Sequence, residues 1–89
     1  MPVKHDAARN RFETEHDEPG YLAYEMRDDG TLDLQHTIVP AHLEGQGLAS
    51  QLVKSALEHA RANGVRVIPS CSYVRAWLAR HDGYDDVLA

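Results

Sequence analysis

Glu44-Gly45-Gln46-Gly47-Leu48-Ala49 is the stretch on which the reading of this chain turns. Ahead of it, an apolar run ends in Ile38-Val39-Pro40. Behind it an amphipathic helix begins, so the hydrophobic period changes here from two to 3.6. Strand, glycine turn and helix in that order form half of an α/β crossover. Glycine leaves no side chain between a ligand and the main-chain N–H groups. The first N–H groups of the helix have no partners inside it and carry the positive end of its dipole. The turn therefore reads as a cradle for a pyrophosphate. Glycines before a helix are common, so the motif needs support from the rest of the chain.

Upstream the pattern has a period of two. Phe12-Glu13-Thr14-Glu15 reads as an early strand, and Asp17-Glu18-Pro19-Gly20 as a turn. Tyr21–Met26 alternates loosely, and Asp28-Asp29-Gly30 is a hairpin signal. Leu32 to Val39 completes the meander. Strict alternation places Leu32, Leu34, His36 and Ile38 on one face and Asp33, Gln35, Thr37 and Val39 on the other.

Downstream, Leu48, Leu52, Val53, Ala56, Leu57 and Ala60 form an apolar stripe, opposite Gln51, Lys54, Glu58 and Arg61. Asn63-Gly64 ends such a helix. Val65-Arg66-Val67-Ile68-Pro69-Ser70-Cys71 is the next strand, parallel to the one before the turn. A second helix follows, capped by Ser72 or Ser70, with Val74, Trp77 and Leu78 inward. Pro69 has no N–H to give a neighbour, so it marks either an edge strand or a place where two strands splay apart. The fold class is α/β (α+β): an antiparallel meander, a helix, a parallel strand and a C-terminal helix in one domain spanning 1–89.

Composition narrows the function. With 89 residues, 43% hydrophobic and 26% charged, the chain can bury a modest core. A formal charge of −5 argues against a nucleic-acid face. It also steers weakly against anions, so a phosphate site must work through local amide geometry. The one cysteine, Cys71, excludes an internal disulfide and fits a reducing compartment. No apolar run spans a bilayer, and Met1-Pro2-Val3-Lys4-His5 lacks the apolar segment of a secretion signal. A cytoplasmic protein, monomeric or homodimeric, with no membrane or nucleic-acid partner, is the expectation.

Four segments together, His36-Thr37-Ile38-Val39-Pro40, Glu44 to Ala49, Pro69-Ser70-Cys71-Ser72-Tyr73, and Arg80-His81 with Tyr84, resemble the small GNAT-type N-acetyltransferases of the YjdJ kind. Val3, His5-Asp6, Arg11-Phe12-Glu13 and Gly20-Tyr21-Leu22 extend the likeness over nearly the whole chain. The resemblance implies a GNAT-like mixed sheet that binds acetyl-CoA and transfers its acetyl group to an amine, either a small amine or a protein lysine or N-terminus. It implies that Ile38 and Val39 offer main-chain groups to the pantetheine arm. The amides from Gly45 through Gln46, Gly47 and Leu48 to Ala49 would hold the pyrophosphate. Two positions depart from the wider superfamily. Glu44 stands where Arg or Gln is usual, and its charge opposes a diphosphate. Trp77 aligns with a proton-donating Tyr, and an indole N–H is no useful acid.

Chemistry then falls to other residues. Cys71 lies between a parallel strand and a helix, where α/β ligand sites form and thiolates are stabilised. Acetyl transfer between thioesters is close to thermoneutral, so an acetyl-Cys71 is reasonable. A lone cysteine is also commonly a small buried hydrophobe. His36 is the candidate base, or else a core histidine bonded to main chain. Tyr73 would line the thioester pocket or simply pack. Tyr21 and Tyr24 could bound an acceptor groove or pack in the core. Arg75 or Arg80 could reach a cofactor phosphate. His5, His16, His42, His59 and His81 lack metal-site spacing, so no metal is expected. Alternatives to an enzyme are a non-catalytic CoA-binding module and a protein-interaction domain.

Overall fold

Strand β4 (Leu32–Ile38) is the element around which the other pieces are arranged. It sits fourth in a five-stranded sheet of order β1-β2-β3-β4-β5, where β1 is Val3–Asp6, β2 Arg11–Thr14, β3 Tyr21–Met26 and β5 Val67–Ile68. Pairings from β1 to β4 are antiparallel, and β4 pairs with β5 in parallel. Helices α1 (Leu48–Asn63) and α2 (Ser72–Arg80) follow β4 and β5, in the order the periodicity predicts. The computed structural model describes residues 3–89; Met1 and Pro2, part of the N-terminal stretch read above, lie outside the described residues. Strand β1 went unread from alternation alone.

The predicted stripe of α1 is the core. Leu52, Val53, Ala56, Leu57 and Ala60 are fully buried, and Leu48 nearly so. Leu52, Val53, Ala56, Leu57 and Ala60 pack against Phe12, Leu22, Tyr24, Leu32 and Leu34 of the sheet. Each buried leucine contributes about 2 kcal/mol of apolar transfer free energy, enough to anchor α1 and the turn that precedes it. Val74 and Trp77 of α2 join the same cluster, while Leu78 is half-buried at its rim. Tyr24 is therefore core rather than a groove wall. On the alternate positions of β2 and β4 stand two buried acids, Glu13 and Asp33, ion-paired to Arg11 and Arg27.

Three expectations need correcting. First, the alternation of β4 does not run unbroken. Its register against β3 shifts between Ala23 and Tyr24: Tyr24 faces Leu34, but Ala23 faces His36. Gln35 is the extra residue of a β-bulge, and it exchanges the two faces beyond it. Leu32 and Leu34 are buried as expected, but His36 and Ile38 are exposed and Thr37 points inward. Second, β5 is only Val67–Ile68, because Pro69 cannot donate to the ladder. Third, neither Ser70 nor Ser72 caps α2; Cys71 occupies the N-cap with no side-chain cap bond.

Pro69 marks both of the things it was read to mark. β5 is last in the sheet order, and pairing with β4 stops at Asp33 and Ile68. One further main-chain bond, from Cys71 N–H to the Leu34 carbonyl at 2.8 Å, holds the strands where they part. Beyond it β4 continues to Ile38 with no strand on that side among the described residues, leaving a wedge between β4 and the start of α2.

Candidate active site

At the turn before α1, Gly45 has φ +82° and Gly47 φ +76°. Side chains rarely tolerate that region, which is why glycine stands at both positions. A Cβ at either would meet no protein atom within 4 Å, so the space before the turn is open and the main chain faces it. Gly47 caps α1 without a side-chain bond, so the amides of the first helical turn keep no partner within the helix.

A cavity of about 140 Å³ lies over this turn, lined by Val39, Leu43, Glu44, Gly45, Gly47, Leu48, Ala49, Ser50 and Tyr73. Most of the residues expected to touch a cofactor thus meet in one hollow. Gln46 and Ile38 do not line it; Gln46 is exposed, and Ile38 is 47% exposed and paired with Tyr21. Leu43 and Ser50 enter unpredicted. Ser50 is held by Trp77, whose indole N–H donates to Ser50 Oγ at 2.8 Å, so Trp77 docks α2 on the head of α1. Open space, exposed amides and a helix N-terminus suit a diphosphate. Among the described residues, Glu44 is the only charged side chain lining the hollow, and it opposes such a ligand.

Cys71 stands at the mouth of the wedge, 8% exposed. Thr37 Oγ1 lies 3.5 Å from its Sγ. Burial pushes the Cys71 thiol's pKa up, but the Thr37 hydroxyl and, after it, the main-chain N–H dipoles near the start of α2 outweigh burial. The net result is a pKa below the ordinary value of 9.0. Thr37 is the neighbour of Cys71 that alternation missed, since only the bulge turns it toward the sulfur. Without pairing information, no signal in the sequence marks it.

His36 is not brought to Cys71. It lies on the opposite, open face of the sheet beside Ala23, and its side chain makes no hydrogen bond among the described residues. Arg75 does not reach toward the hollow; it donates to the carbonyls of Ser70 at 2.6 Å and Pro69 at 3.0 Å. Arg80 and His42 are exposed. A larger hollow, about 500 Å³, lies elsewhere, over β1 and β2, between Lys4, Arg9, Arg11, Glu13, Glu15 and Asp17. Its charges are mixed and it shares no residue with the glycine turn, so the smaller hollow is the better site. Among the described residues, no group of three or more His, Cys, Asp or Glu could hold a metal, and no helix is long and apolar enough to cross a membrane.

The sequence model described as GCN5-related N-acetyl-transferase matches residues 11–87. Protein NATD1 of Bos taurus is 34% identical over 80 residues, covering 85% of this chain and 70% of that protein. The NATD1 protein of Xenopus tropicalis is 32% identical over 80 residues, with 85% and 72% covered. A GCN5-like protein from Staphylococcus aureus, solved in solution by NMR, is 33% identical. It matches the fold with a TM-score of 0.77 over 99% of this chain and 87% of that one.

Proposed function

Because this chain belongs to the GCN5-related N-acetyltransferase family, we propose that it binds acetyl-CoA across residues 44–49 and passes the acetyl group to an amine through Cys71. The observation that carries this reading is the setting of Cys71 Sγ. It lies 3.5 Å from the Thr37 hydroxyl at the N-cap of α2, in the wedge between β4 and α2. Tyr73, two residues on, lines the hollow over the glycine turn, so the two features adjoin.

When bound, acetyl-CoA supplies an acetyl group already activated as a thioester. The amides from Gly45 to Ala49 would hold its diphosphate, with Val39 and Tyr73 among the residues lining the same hollow. Cys71, favoured as thiolate, would attack the thioester carbonyl and take the acetyl group as the bond to the CoA sulfur breaks and CoA leaves as thiolate, an exchange close to thermoneutral. The acceptor's amine nitrogen then attacks that carbonyl, the bond to Sγ breaks, and Cys71 departs as thiolate. The proton lost by the amine passes to water, because His36 stands on the opposite face of the sheet from Cys71. A cytoplasmic setting keeps the single thiol reduced.

Intact-protein mass spectrometry with acetyl-CoA tests this: one acetyl group should appear, and should map to Cys71. Amide resonances of residues 45–49 should shift in the same titration. Full turnover by a Cys71→Ala protein would remove the covalent route. Glu44 in the hollow favours one rival, a CoA-binding module without turnover. Release of free CoA no faster with amines present than without them would select it.

A further inference from the structure

A further hollow, of about 260 Å³, lies where the C-terminal turns of α1 meet β1 and the β3–β4 hairpin. It shares no residue with the hollow over the glycine turn. Helix α1, 16 residues and about 24 Å long, carries one hollow at each end. Two core residues, Tyr24 and Leu32, reach the floor of the distal one.

Its lining is of three kinds. Met26, Leu32 and Val65 are aliphatic, and His5, Tyr24 and His59 bring rings. The rings fix one another. His5 Nε2 and the Tyr24 hydroxyl share a hydrogen bond of 2.6 Å, and His59 meets the His5 ring edge-on at 4.4 Å. Asn10 and Asn63 add amides. Among the described residues, the Asn10 side chain makes no hydrogen bond, and Asn63 uses only its Nδ2, on His59. No Lys, Arg, Asp or Glu lines the hollow among those residues. Burial, then the His59 charge, hold the His5 pKa below its ordinary 6.5, so that ring is uncharged at neutral pH. Met26 is 59% exposed, a flexible apolar side chain left in water beside an apolar hollow.

An apolar concavity with a few unspent polar groups is the usual form of a small-molecule site. A charged ligand would find no opposite charge here and would lose its water. A flat ring can stack on or meet edge-on the rings already present, which favours it over an aliphatic group of equal area. Volume sets the size: a cavity of about 150 Å³ admits benzene, so this one suits two fused rings. We infer that the hollow binds a small, uncharged, two-ring aromatic molecule with one polar group for the Asn10 or Asn63 amide. The site goes beyond the acyl-transfer reading and does not depend on it.

Indole, with its single N–H, is the probe. In a titration followed by amide NMR, the resonances of Asn10, Met26, His59 and Asn63 should shift together and saturate, with a midpoint of about 1 mM or tighter. Those of residues 45–49 should stay in place. Benzoate is flat but charged, and cyclohexanol is uncharged but not flat; each should bind about fivefold more weakly or worse. Asn10→Gly keeps the left-handed backbone at φ +54° and removes only the amide. Met26→Ala removes part of the apolar lining. Both positions are exposed, so neither change reaches the core, and each should weaken indole about threefold to tenfold. The inference is overturned by no saturable shift up to about 10 mM indole, by shifts at residues 45–49 instead, by equal midpoints for indole and benzoate, or by unchanged binding in both variants.

Discussion

Thr37 Oγ1 and Cys71 Sγ, thirty-four residues apart in the chain, lie 3.5 Å from one another. The contact joins the continuing half of β4 to the N-terminus of α2, across the opening from which β5 has withdrawn. It is the smallest unit of structure that the proposed chemistry needs.

Removing that hydroxyl should disarm the thiol. Thr37→Val keeps the shape of the side chain and removes one of the bonds that favour the Cys71 thiolate. Alkylation of Cys71 at neutral pH should slow about tenfold, with the midpoint of the pH profile moving up. An unchanged profile would mean that the helix amides alone set the thiol.

The glycine turn answers to backbone geometry. Gly47→Ala forces a side chain into φ +76°, although its Cβ meets no atom within 4 Å. The protein should lose about 1 kcal/mol of stability from that strain. CoA affinity measured by calorimetry should fall about tenfold as the amides rotate off the diphosphate. Loss of stability with affinity intact would separate the turn from the ligand.

Glu44 should be a handicap to binding. Glu44→Gln removes the one charge lining the hollow and should tighten CoA roughly threefold to tenfold at low salt. The advantage should shrink by physiological ionic strength, since the side chain is exposed and screened. Weaker binding by the variant would show that Glu44 assists through a bond or a bound cation.

His5 makes the fold sensitive to mild acid. Its ring stacks on Phe12 at 4.4 Å, meets His59 edge-on, and shares a 2.6 Å hydrogen bond with the Tyr24 hydroxyl. Burial first, and then the His59 charge, lower its pKa from the ordinary 6.5, against an opposing effect of Asp6. The unfolded chain therefore binds this proton more readily than the folded one. Stability from this group is complete above pH 6.5 and is lost as pH falls from there through the lowered value. Thermal melts between pH 7 and 5 should show this loss, and His5→Gln should flatten it. The lowered carboxylates Asp33 and Asp86 act only below their ordinary 3.8 and do not enter that window.

Local pattern made much of this protein legible. The stripe from Leu48 to Ala60 follows from a period of 3.6, and the cradle from two glycines before a helix, because each depends on residues a turn or two apart. The parallel return of β5 follows from having one helix between two strands. The inward turn of Thr37 is different in kind. It exists because Gln35 is squeezed out of register where β4 meets Ala23 and Tyr24, and a period-two reading of β4 points Thr37 the wrong way. The same bulge sends His36 to the open face. So the sequence by itself determined the helices, the strands from β2 onward and the glycine turn before α1, all encoded over short separations. Only the tertiary structure decided which side chain meets Cys71, since a bulge is a property of two strands paired and neither carries it alone.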